Sequence, residues 1–596
     1  MKTNQPQDQI NNISKLFNEK KFLHAESLTL EFVNQFPKYA IGWKILAVIL
    51  KQNGNLKKSL KASHKALLLN PKDAEVYYNL ANSYKLINNF KKSQNNYKKA
   101  IELNPNYAEA YNNLGVTYQE LGKLQLSEIN FKKAIELNPN YAEGYMNIGN
   151  ILRKKNKLNE SLLYFQKTIL LNPNYVKGYN NLGVTLRELG KLEASEISFK
   201  KAIKLKNIPG EIYYNLAATL RELGKLKESE LNFKEAIKLN PEHAETFNNL
   251  GVVLRELGKL KESELSFKKA IKLKPEYAAA YNNLSFNCLL QHKFREGFKL
   301  YEWRWKANKK IGKTLVTNKP IWAGTKNLSI LAWKEQGIGD EIMFSSLFPE
   351  LIRDSKSVIV NCDKRLIPIF KRSFSNKIIY ESKIDKVKKK DYDQHIPIGS
   401  LPLIFRKNLK SFEKSSKAFL KADDRKIFEI KNKLKFKKSD FIIGISWLTK
   451  SNLEMASFRN ISLNDLTRNL YYKNVKFVNL QYGNVENEIS LLKIKEGIDL
   501  FNYPEINNTY DIDGLASLIS ACDLIVTIDN FIAHLAGSLG IHTKVLLPFT
   551  ADPRWGNYRK KTHLYRSVHL HRQDELGNWK EVLTEIKKEI KKIIIK

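Results

Sequence analysis

Residues 106–139 read NYAEAYNNLGVTYQELGKLQLSEINFKKAIELNP, and related stretches of the same length precede and follow them in the first half of the chain. The proline that ends this stretch recurs every 34 residues, and Asn207 interrupts the series. The series is Pro37, Pro71, Pro105, Pro139, Pro173, Pro241 and Pro275. A fixed period of this length predicts a helical solenoid, in which each repeat packs against its neighbours.

Within one repeat, apolar and small residues recur at helical spacing. In residues 106–139 they are Tyr111, Leu114, Gly115, Tyr118, Ser127, Phe131 and Ala134. Large side chains at this spacing fill the space between two paired helices, a small residue permits close approach, and the proline stops the second helix. The pattern resembles the tetratricopeptide repeat. We expect eight units over residues 38–309 and a degenerate ninth unit, residues 4–37, that caps the stack.

The length of the chain, its apolar runs and its cysteines indicate how many domains to expect and in which compartment the protein works. Residues 310–596 leave room for one or two further domains. The chain has no run of eighteen apolar residues and a polar start, which predicts a soluble, unexported, cytoplasmic protein. Its three cysteines, Cys288, Cys362 and Cys522, lack metal-ligand spacing and are interpreted as buried thiols in a reducing compartment.

The formal charge of +39 suggests a nucleic-acid or anionic-membrane partner. However, 83 of the 100 basic residues are Lys, only 17 are Arg, and they are spread through every repeat. Base readers and phosphate clamps favour Arg. We therefore interpret the charge as a solvated Lys-rich surface. A nucleic-acid partner is not expected, and a peripheral membrane contact stays an alternative.

After residue 309 the pattern changes, because short apolar runs alternate with amphipathic helices. Candidate strands are Leu328–Trp333, Val358–Asn361, Lys377–Tyr380, Phe441–Ser446, Val475–Leu480, Leu524–Ile528 and Lys544–Leu547. This alternation predicts parallel sheets of the doubly wound α/β kind. A charged stretch at residues 408–438 separates two groups of strands, which predicts two Rossmann-like domains with a cleft between them.

The first strand leads directly into the turn EQGIGD, residues 335–340, and a helix is predicted over residues 341–353. Gly337 and Gly339 allow a tight turn and a close backbone approach, and the free N–H groups of a helix start favour an anionic ligand. Asp340 is either a functional carboxylate at the cleft or an N-cap of this helix.

The most specific sequence motifs of this half lie in residues 511–540. Residues 511–523 (DIDGLASLISACD) precede a strand, and residues 529–540 (DNFIAHLAGSLG) open the next helix. Together with residues 301–305, 320–324, 335–340, 444–447, 480–483, 547–548, 552–555 and 572–573, and with Arg459, they resemble heptosyltransferase-related glycosyltransferases of GT-B fold. The resemblance is to the version fused behind tetratricopeptide repeats, often likened to O-GlcNAc transferases. It implies a repeat domain over residues 1–309, an N-terminal Rossmann-like half over 310–430 and a nucleotide-sugar-binding half over 431–596.

The resemblance implies sugar transfer from a nucleotide-sugar donor, which is a substrate, with no cofactor and no bound metal. Asp340 would be the general base, because attack by a hydroxyl requires removal of its proton. Arg459 would meet the pyrophosphate, and His534 and the helix start would stabilise the departing charge. The full donor set is Gly337, Gly339, Trp447, Arg459, Gln481, Asp529, Asn530 and His534. Asn530, Phe531 and Ile532 replace the small hydroxyl residues usual after the late Asp, and Lys450 is a further candidate phosphate contact.

Two other patterns in the sequence could indicate ligand sites. The triplets Asp391-Tyr-Asp393 and Asp511-Ile-Asp513 look like metal-binding D-x-D signatures, but we interpret them as capping residues. One repeat position is Asn in seven successive units: Asn79, Asn113, Asn147, Asn181, Asn215, Asn249 and Asn283. A solvent-facing column of amides suits the backbone of an extended peptide, so we predict a protein or surface-glycan acceptor there, the alternative being a consensus residue without a ligand. The alternative function is a non-catalytic scaffold with a degenerate transferase domain.

Overall fold

The structure is a computed structural model that describes residues 6–205, 208–307, 315–449, 459–549, 551–557, 560–575 and 577–594. The chain divides into two compact units, Met1–Lys225 and Leu226–Lys596. The first unit consists of repeat helices, and the second holds further repeat helices and two parallel β-sheets. Among the described helices, none combines the length and the apolar character needed to cross a membrane.

The N-terminal region is an α-solenoid of tetratricopeptide-repeat helix pairs. Its first helices are α1 (Pro6–Asn18), α3 (Ala40–Gln52), α5 (Ala74–Leu86), α7 (Ala108–Glu120), α9 (Ala142–Lys154), α11 (Val176–Glu188), α13 (Gly210–Glu222), α15 (Ala244–Glu256) and α17 (Ala278–Leu290). Its second helices are α2 (Phe22–Gln35), α4 (Leu56–Leu69), α6 (Phe90–Leu103), α8 (Leu124–Leu137), α10 (Leu158–Leu171), α12 (Leu192–Ile203), α14 (Leu226–Leu239), α16 (Leu260–Leu273) and α18 (Phe294–Tyr301). A short helix, α19 (Arg304–Ala307), follows.

The packing inside one pair explains the repeated residue types. The Phe131 ring of α8 is fully buried against Gly115 of α7, where a β-carbon would lie 2.6 Å from the ring. A repeated serine of the second helix bonds back to the first helix, as when Ser161 donates to the Gly149 carbonyl at 2.8 Å. Gly122, at φ 72°, makes the turn between α7 and α8. Small residues are therefore needed where the two helices are closest.

The second unit contains two sheets in which all strands are parallel. Sheet A has the order β3-β2-β1-β4, with β1 (Ser329–Trp333), β2 (Ser357–Asn361), β3 (Ile378–Glu381) and β4 (Gln394–Pro397). Sheet B has the order β10-β9-β8-β5-β6-β7, with β5 (Phe441–Ser446), β6 (Val475–Asn479), β7 (Leu500–Phe501), β8 (Leu524–Ile528), β9 (Thr543–Leu547) and β10 (Val568–Arg572). Both orders reverse beside the first strand of the sheet, which creates a switch point between β1 and β4 and another between β5 and β8.

Helices flank these sheets, as the alternating pattern predicts. They are α20 (Ile338–Ser345), α21 (Phe348–Asp354), α22 (Ile367–Ser373), α23 (Leu401–Phe405), α24 (Asp424–Leu434), α25 (Leu463–Leu470), α26 (Glu486–Glu496), α27 (Ile512–Ser520), α28 (Phe531–Leu539) and α29 (Lys580–Ile594). One core joins Ile525 of β8 to Leu515 of α27, and another joins Val526 to Ile586 of α29. Sheet B is thus covered on both faces, which is the doubly wound α/β arrangement.

The boundary between the two units falls inside the repeats, at 225/226, and not at residue 309 where the repeat pattern ends. The last repeat helices pack against the α/β region, which explains the difference. Phe294 of α18 contacts the Phe412 ring at 4.9 Å, and Arg304 forms an ion pair with Glu335 at 2.9 Å. Both side chains of this ion pair are 2% exposed, so α19 is firmly attached to the turn after β1.

Candidate active site

The turn after β1 places Asp340 at the carboxyl edge of sheet A. Gly337 is the N-cap of α20, and Asp340 lies in the first turn of this helix, where its N–H donates to the Gly337 carbonyl at 3.0 Å. Asp340 is therefore not an N-cap, which removes the alternative considered for it. A β-carbon on Gly339 would lie 3.4 Å from His534 of α28, which is an ordinary contact distance, so α20 and α28 pack closely at this position.

Asp340 contacts an arginine from the other half. Its Oδ1 accepts a hydrogen bond from Arg554 Nη1 at 2.7 Å, and Arg554 Nε also contacts Asp552 Oδ1 at 2.9 Å. Burial opposes the charge on Arg554, but Asp340 and Asp552 outweigh burial and raise the pKa of this guanidinium. Arg554 follows β9, so the contact connects the carboxyl edges of the two sheets.

Asp529, at the carboxyl end of β8, is 6% exposed. Its Oδ1 accepts from Trp555 Nε1 at 2.8 Å, and its Oδ2 lies 3.5 Å from Arg459 Nη1. Arg572, at the end of β10, donates from Nη2 to the Gly556 carbonyl at 2.7 Å. Burial lowers the pKa of Arg572 to about 10, an effect that the charge of Asp529 opposes. The edge of sheet B thus carries Arg459, Arg554 and Arg572 together with the buried Asp529 and the partly buried Asp552, and guanidinium groups of this kind suit a phosphate ligand.

The structure revises three of the predicted donor contacts, since their side chains hold the switch point of sheet B together. The Gln481 oxygen accepts from Ser446 Oγ and from the N–H groups of Trp447 and Leu448, each at 2.9 Å, while its amide donates to two carbonyl groups. The buried Trp447 ring donates to Glu488 at 2.7 Å. Asn530 joins β8 to β5 by donating to Ser446 Oγ at 2.9 Å. These three buried side chains hold the backbone of residues 446–448 in place, and they are not exposed for contact with a nucleotide-sugar donor.

His534 is also placed differently from the prediction. It is 3% exposed, stacks on the Trp555 ring at 4.8 Å and contacts the Tyr565 hydroxyl at 3.1 Å. Burial, followed by the charge of Arg554, lowers the pKa of His534 to about 3. A neutral, enclosed imidazole cannot compensate pyrophosphate charge directly. Its position supports Trp555, and through Trp555 the carboxylate of Asp529.

The asparagine column is less exposed than predicted. Asn147 and Asn215 are buried at 9% and 6% exposure, and each donates to an asparagine of the preceding repeat, Asn112 at 2.9 Å and Asn180 at 3.0 Å. Asn283 donates to Asn248 in the same way at 3.0 Å. The remaining members, Asn79, Asn113, Asn181 and Asn249, are partly buried. Asn147, Asn215 and Asn283 therefore bond successive repeats to each other, because the asparagine one position before the column in the preceding repeat accepts their hydrogen bond.

The aspartates of the two D-x-D triplets are engaged in hydrogen bonds or ion pairs with other residues of the protein. Asp391 accepts from the Lys388 N–H and Asp511 caps α27 through the Gly514 N–H, so both act at a helix start. Asp393 accepts from the Ser329 N–H at the start of β1, which is not a helix cap. Asp513 instead pairs with Arg372. Within the described residues, His571, Glu585 and Glu589 are close enough to share a cation, but Lys544 and Lys560 already contact the two carboxylates. Lys450 and Asn207 lie outside the described residues.

Several residues of this region were not predicted individually. Arg554 is predicted only as part of the stretch 552–555. Trp555 is interpreted from the sequence as a packing residue, and neither Tyr565 nor Arg406 is predicted. The available signal for Arg554 was its place after a buried strand. Its partner Asp340 is 214 positions away in the sequence. A contact over that separation needs the relative placement of two sheets, which periodicity does not provide.

Comparison with known proteins confirms the repeats. Profiles described as TPR repeat or Tetratricopeptide repeat match residues 87–122, 108–141, 130–162, 164–196 and 209–276. A curated relative, Protein FlbA of Caulobacter vibrioides (strain ATCC 19089 / CIP 103742 / CB 15), is 27% identical over 284 residues, which cover 44% of this chain and 47% of FlbA. The chain therefore matches about half the length of this relative.

Several solved structures are similar to part of this chain. The APC/C hetero-tetramer Cut9-Hcn1 gives a TM-score of 0.37 at 15% identity, covering 47% of this chain and 55% of that chain. YrrB, described as a TPR protein with an unusual peptide-binding site, gives 0.28 at 24% identity, covering 31% and 95%. MamA gives 0.26 at 23% identity, covering 28% and 96%. Scores at this level carry no argument about function.

Proposed function

We propose that the C-terminal α/β region is a glycosyltransferase of GT-B type, which moves a sugar from a nucleoside diphosphate to a hydroxyl acceptor recruited by the repeats. The observation that carries this proposal is the 2.7 Å contact between Asp340 Oδ1 and Arg554 Nη1. It brings a carboxylate suited to proton removal next to a group of arginines suited to a diphosphate. Tetratricopeptide repeats generally bind protein or peptide partners, which fits the recruiting role.

The proposed reaction forms one bond to the anomeric carbon of the sugar and breaks another. Asp340 takes the proton of the acceptor hydroxyl while the hydroxyl oxygen bonds to the anomeric carbon of the sugar. The bond from that carbon to the diphosphate oxygen breaks, and its electron pair leaves with the diphosphate. Arg459, Arg554 and Arg572 stabilise this developing charge. Attack opposite the leaving group inverts the anomeric configuration.

The position of Arg554 implies that the donor binds before Asp340 can act as the general base. In the structure its guanidinium is paired with Asp340 and Asp552. A diphosphate offers more negative charge and more acceptor oxygens than one carboxylate does, so it competes for Arg554 when it binds. The exchange releases Asp340 Oδ1 to accept the acceptor proton. In this scheme the general base becomes available only after the donor has bound.

A non-catalytic scaffold is the second candidate. The observation that favours it is the engagement of Trp447, Gln481 and Asn530 in internal hydrogen bonds, because these side chains leave few groups at the switch point for a ligand. In this alternative the α/β region supports the last repeats, and the Arg304–Glu335 ion pair is its main attachment.

A screen of nucleotide sugars against the full chain separates the two candidates. Thermal unfolding is followed with UDP, GDP, ADP and CMP sugars, and mass spectrometry detects the released nucleotide. The transferase account expects at least one donor to raise the unfolding temperature and to be turned over. Absence of both effects with all donors would favour the scaffold.

A further inference from the structure

Lysine is distributed unevenly over the second helices of the first unit. Helix α4 contains four lysines and no acidic residue, and α6 contains four lysines and one acidic residue, Glu102. By contrast, α2 contains two glutamates and no lysine, and α8 contains two residues of each type. The eight lysines of α4 and α6 are Lys57, Lys58, Lys61, Lys65, Lys91, Lys92, Lys98 and Lys99. Positive charge is therefore concentrated on two successive repeats.

The eight lysines lie on one outer surface. All of them are exposed, whereas the same two helices bury equivalent positions such as Ala66 in α4 and Ala100 in α6. Equivalent helices of successive repeats pack in the same way, so they also expose equivalent positions. Three pairs of lysines are 34 residues apart: Lys57 and Lys91, Lys58 and Lys92, and Lys65 and Lys99. We call the eight lysines the basic patch.

Acidic side chains do not compensate most of the charge of the basic patch. Lys99 pairs with Glu102 at 2.7 Å, and the other seven lysines form no ion pair within the described part of the chain. Later repeats differ, since a glutamate of the second helix pairs there with two lysines. Glu128, for example, pairs with Lys132 at 2.7 Å and with Lys155 at 2.5 Å. The basic patch therefore presents charge that an anionic partner would compensate.

The basic patch is confined to α4 and α6. At the second and third positions of the helix, where α4 and α6 have lysines, the preceding repeat has Leu23 and His24, and the following repeat has Gln125 and Leu126. Each of the two helices has 14 residues and is about 21 Å long, and packed helices lie about 8–10 Å apart. An area of this extent suits an extended anionic surface and not a single small anion.

The residue types favour a lipid surface over a nucleic acid. Helices α4 and α6 contain no arginine, the residue that provides bidentate contacts to phosphates and bases. The large apolar residue exposed on these two helices is Leu68, which is 78% exposed and shares a helix face with Lys61 and Lys65. An aliphatic side chain offers no ring on which a base could stack. It does gain free energy by entering the hydrocarbon boundary of a bilayer.

We propose that the basic patch binds a membrane surface rich in anionic lipid, with its lysines at the headgroups and Leu68 at the boundary of the hydrocarbon region. This gives a location to the peripheral membrane contact that the charge of the chain suggests. All the residues involved lie in the first unit, so the proposal does not rest on the transferase function proposed above.

Sedimentation of the full chain with vesicles tests the proposal. One set of vesicles is phosphatidylcholine alone, and the other is phosphatidylcholine with phosphatidylserine at about three to one. At about 0.1 M salt we expect binding to the anionic vesicles to be at least about tenfold tighter. At about 0.5 M salt we expect this preference to be lost, because salt screens exposed charges. Equal binding to both sets at the lower salt, or no binding to either, would overturn the proposal.

Variants that remove charge locate the contact. Each lysine near an anionic surface strengthens binding about fivefold, so the loss of four should weaken it by at least about a hundredfold. The patch variant combines Lys57→Gln, Lys61→Gln, Lys65→Gln and Lys91→Gln. The matched control replaces four exposed lysines of α29, by Lys587→Gln, Lys588→Gln, Lys591→Gln and Lys592→Gln, and should bind within about threefold of wild type. Circular dichroism checks that each variant is folded. Equal losses in the two variants would mean that binding follows total charge, and would overturn the assignment.

Leu68 and two polyanions without a hydrocarbon layer distinguish a membrane from other anionic partners. Leu68→Gln should weaken vesicle binding severalfold, because the side chain no longer gains by leaving water, and should not change binding to poly(U) or polyglutamate. Leu163→Gln is the matched control, since Leu163 of α10 is 65% exposed and lies outside the basic patch. Equal effects of the two leucine variants on vesicle binding, or tighter binding of either polymer than of the anionic vesicles, would overturn the membrane assignment.

Discussion

Asp340 and Arg554 form an ion pair of 2.7 Å between the first turn of α20 and the segment after β9. The pair joins sheets A and B at their carboxyl edges, where open parallel α/β sheets bind ligands. It also places the proposed base and the proposed diphosphate contact within one hydrogen bond of each other. Replacing either residue should therefore affect a different step of the reaction.

Arg554→Gln should weaken binding of nucleoside diphosphates, since it removes a charged contact to the leaving group. Losing such a contact costs about 2–3 kcal/mol. Calorimetry with UDP, GDP and ADP measures the loss. Arg566→Gln is the control, because Arg566 is exposed and donates to Ser416 and Glu413. The same affinity for Arg554→Gln and wild type would place the diphosphate elsewhere.

Replacing Arg459 should change diphosphate affinity, whereas replacing His534 should change the stability of the fold. Arg459→Ala should reduce diphosphate affinity with little change in stability, because its side chain is partly exposed. His534→Ala should lower the free energy of unfolding by about 1–3 kcal/mol, since the neutral ring is buried against Trp555. Thermal unfolding and calorimetry on both variants distinguish the two roles. A stable His534→Ala variant that has lost donor binding would restore a direct contact for His534.

Asn215→Ala should destabilise the repeats. Asn215 is buried and donates to Asn180 at 3.0 Å, so its removal leaves a polar group unpaired at a cost of about 1–3 kcal/mol. Asn79→Ala is the matched control at the same repeat position, where the side chain is only partly buried. Urea unfolding followed by circular dichroism compares the midpoints. Equal midpoints for the two variants would mean that the column contributes nothing between repeats.

The sequence predicted the elements that repeat or that are buried on both sides. The helix pairs follow from positions such as Phe131, and Phe441–Ser446 and Leu524–Ile528 coincide with the observed strands. The candidate strands do not include β4, β7 and β10. All three lie at sheet edges, β4 in sheet A and the other two in sheet B. The strand β7 has two residues, and β10 includes polar residues such as His569 and His571. Edge strands need fewer apolar residues, so their pattern is weak.

Site residues were harder to predict than strands. Asp340 was found because a glycine turn after a buried strand is a local feature of the sequence. The partners of Asn215 and Gln481 come from another repeat or another strand, 35 and 33 to 35 positions away. Sequence pattern alone does not show whether an amide faces solvent or bonds to such a neighbour. That is why the two amides were predicted as ligand contacts.

Acid should weaken the second unit through Glu264. Burial raises the pKa of this carboxyl, but bonds from Lys268 and Lys293 outweigh burial and lower the pKa to about 2. The unfolded value is about 4.3, so the stabilisation is complete above that pH and is lost as the pH falls toward 2. Glu264→Gln should therefore lower stability at pH 7 and flatten its decline between about pH 4.3 and 2. Urea unfolding at several pH values tests this. An unchanged pH slope in the variant would contradict the assignment.

Turnover by Asp340→Asn tests the central claim most directly. Asn keeps the size of the side chain but cannot take the acceptor's proton, so turnover should fall about a hundredfold to ten-thousandfold. Affinity for the donor should not fall, because Arg554 remains available to the diphosphate. Asp511→Asn, at the N-cap of α27, controls for loss of a carboxylate without loss of a base. Steady-state transfer by Asp340→Asn at the wild-type rate would contradict the account.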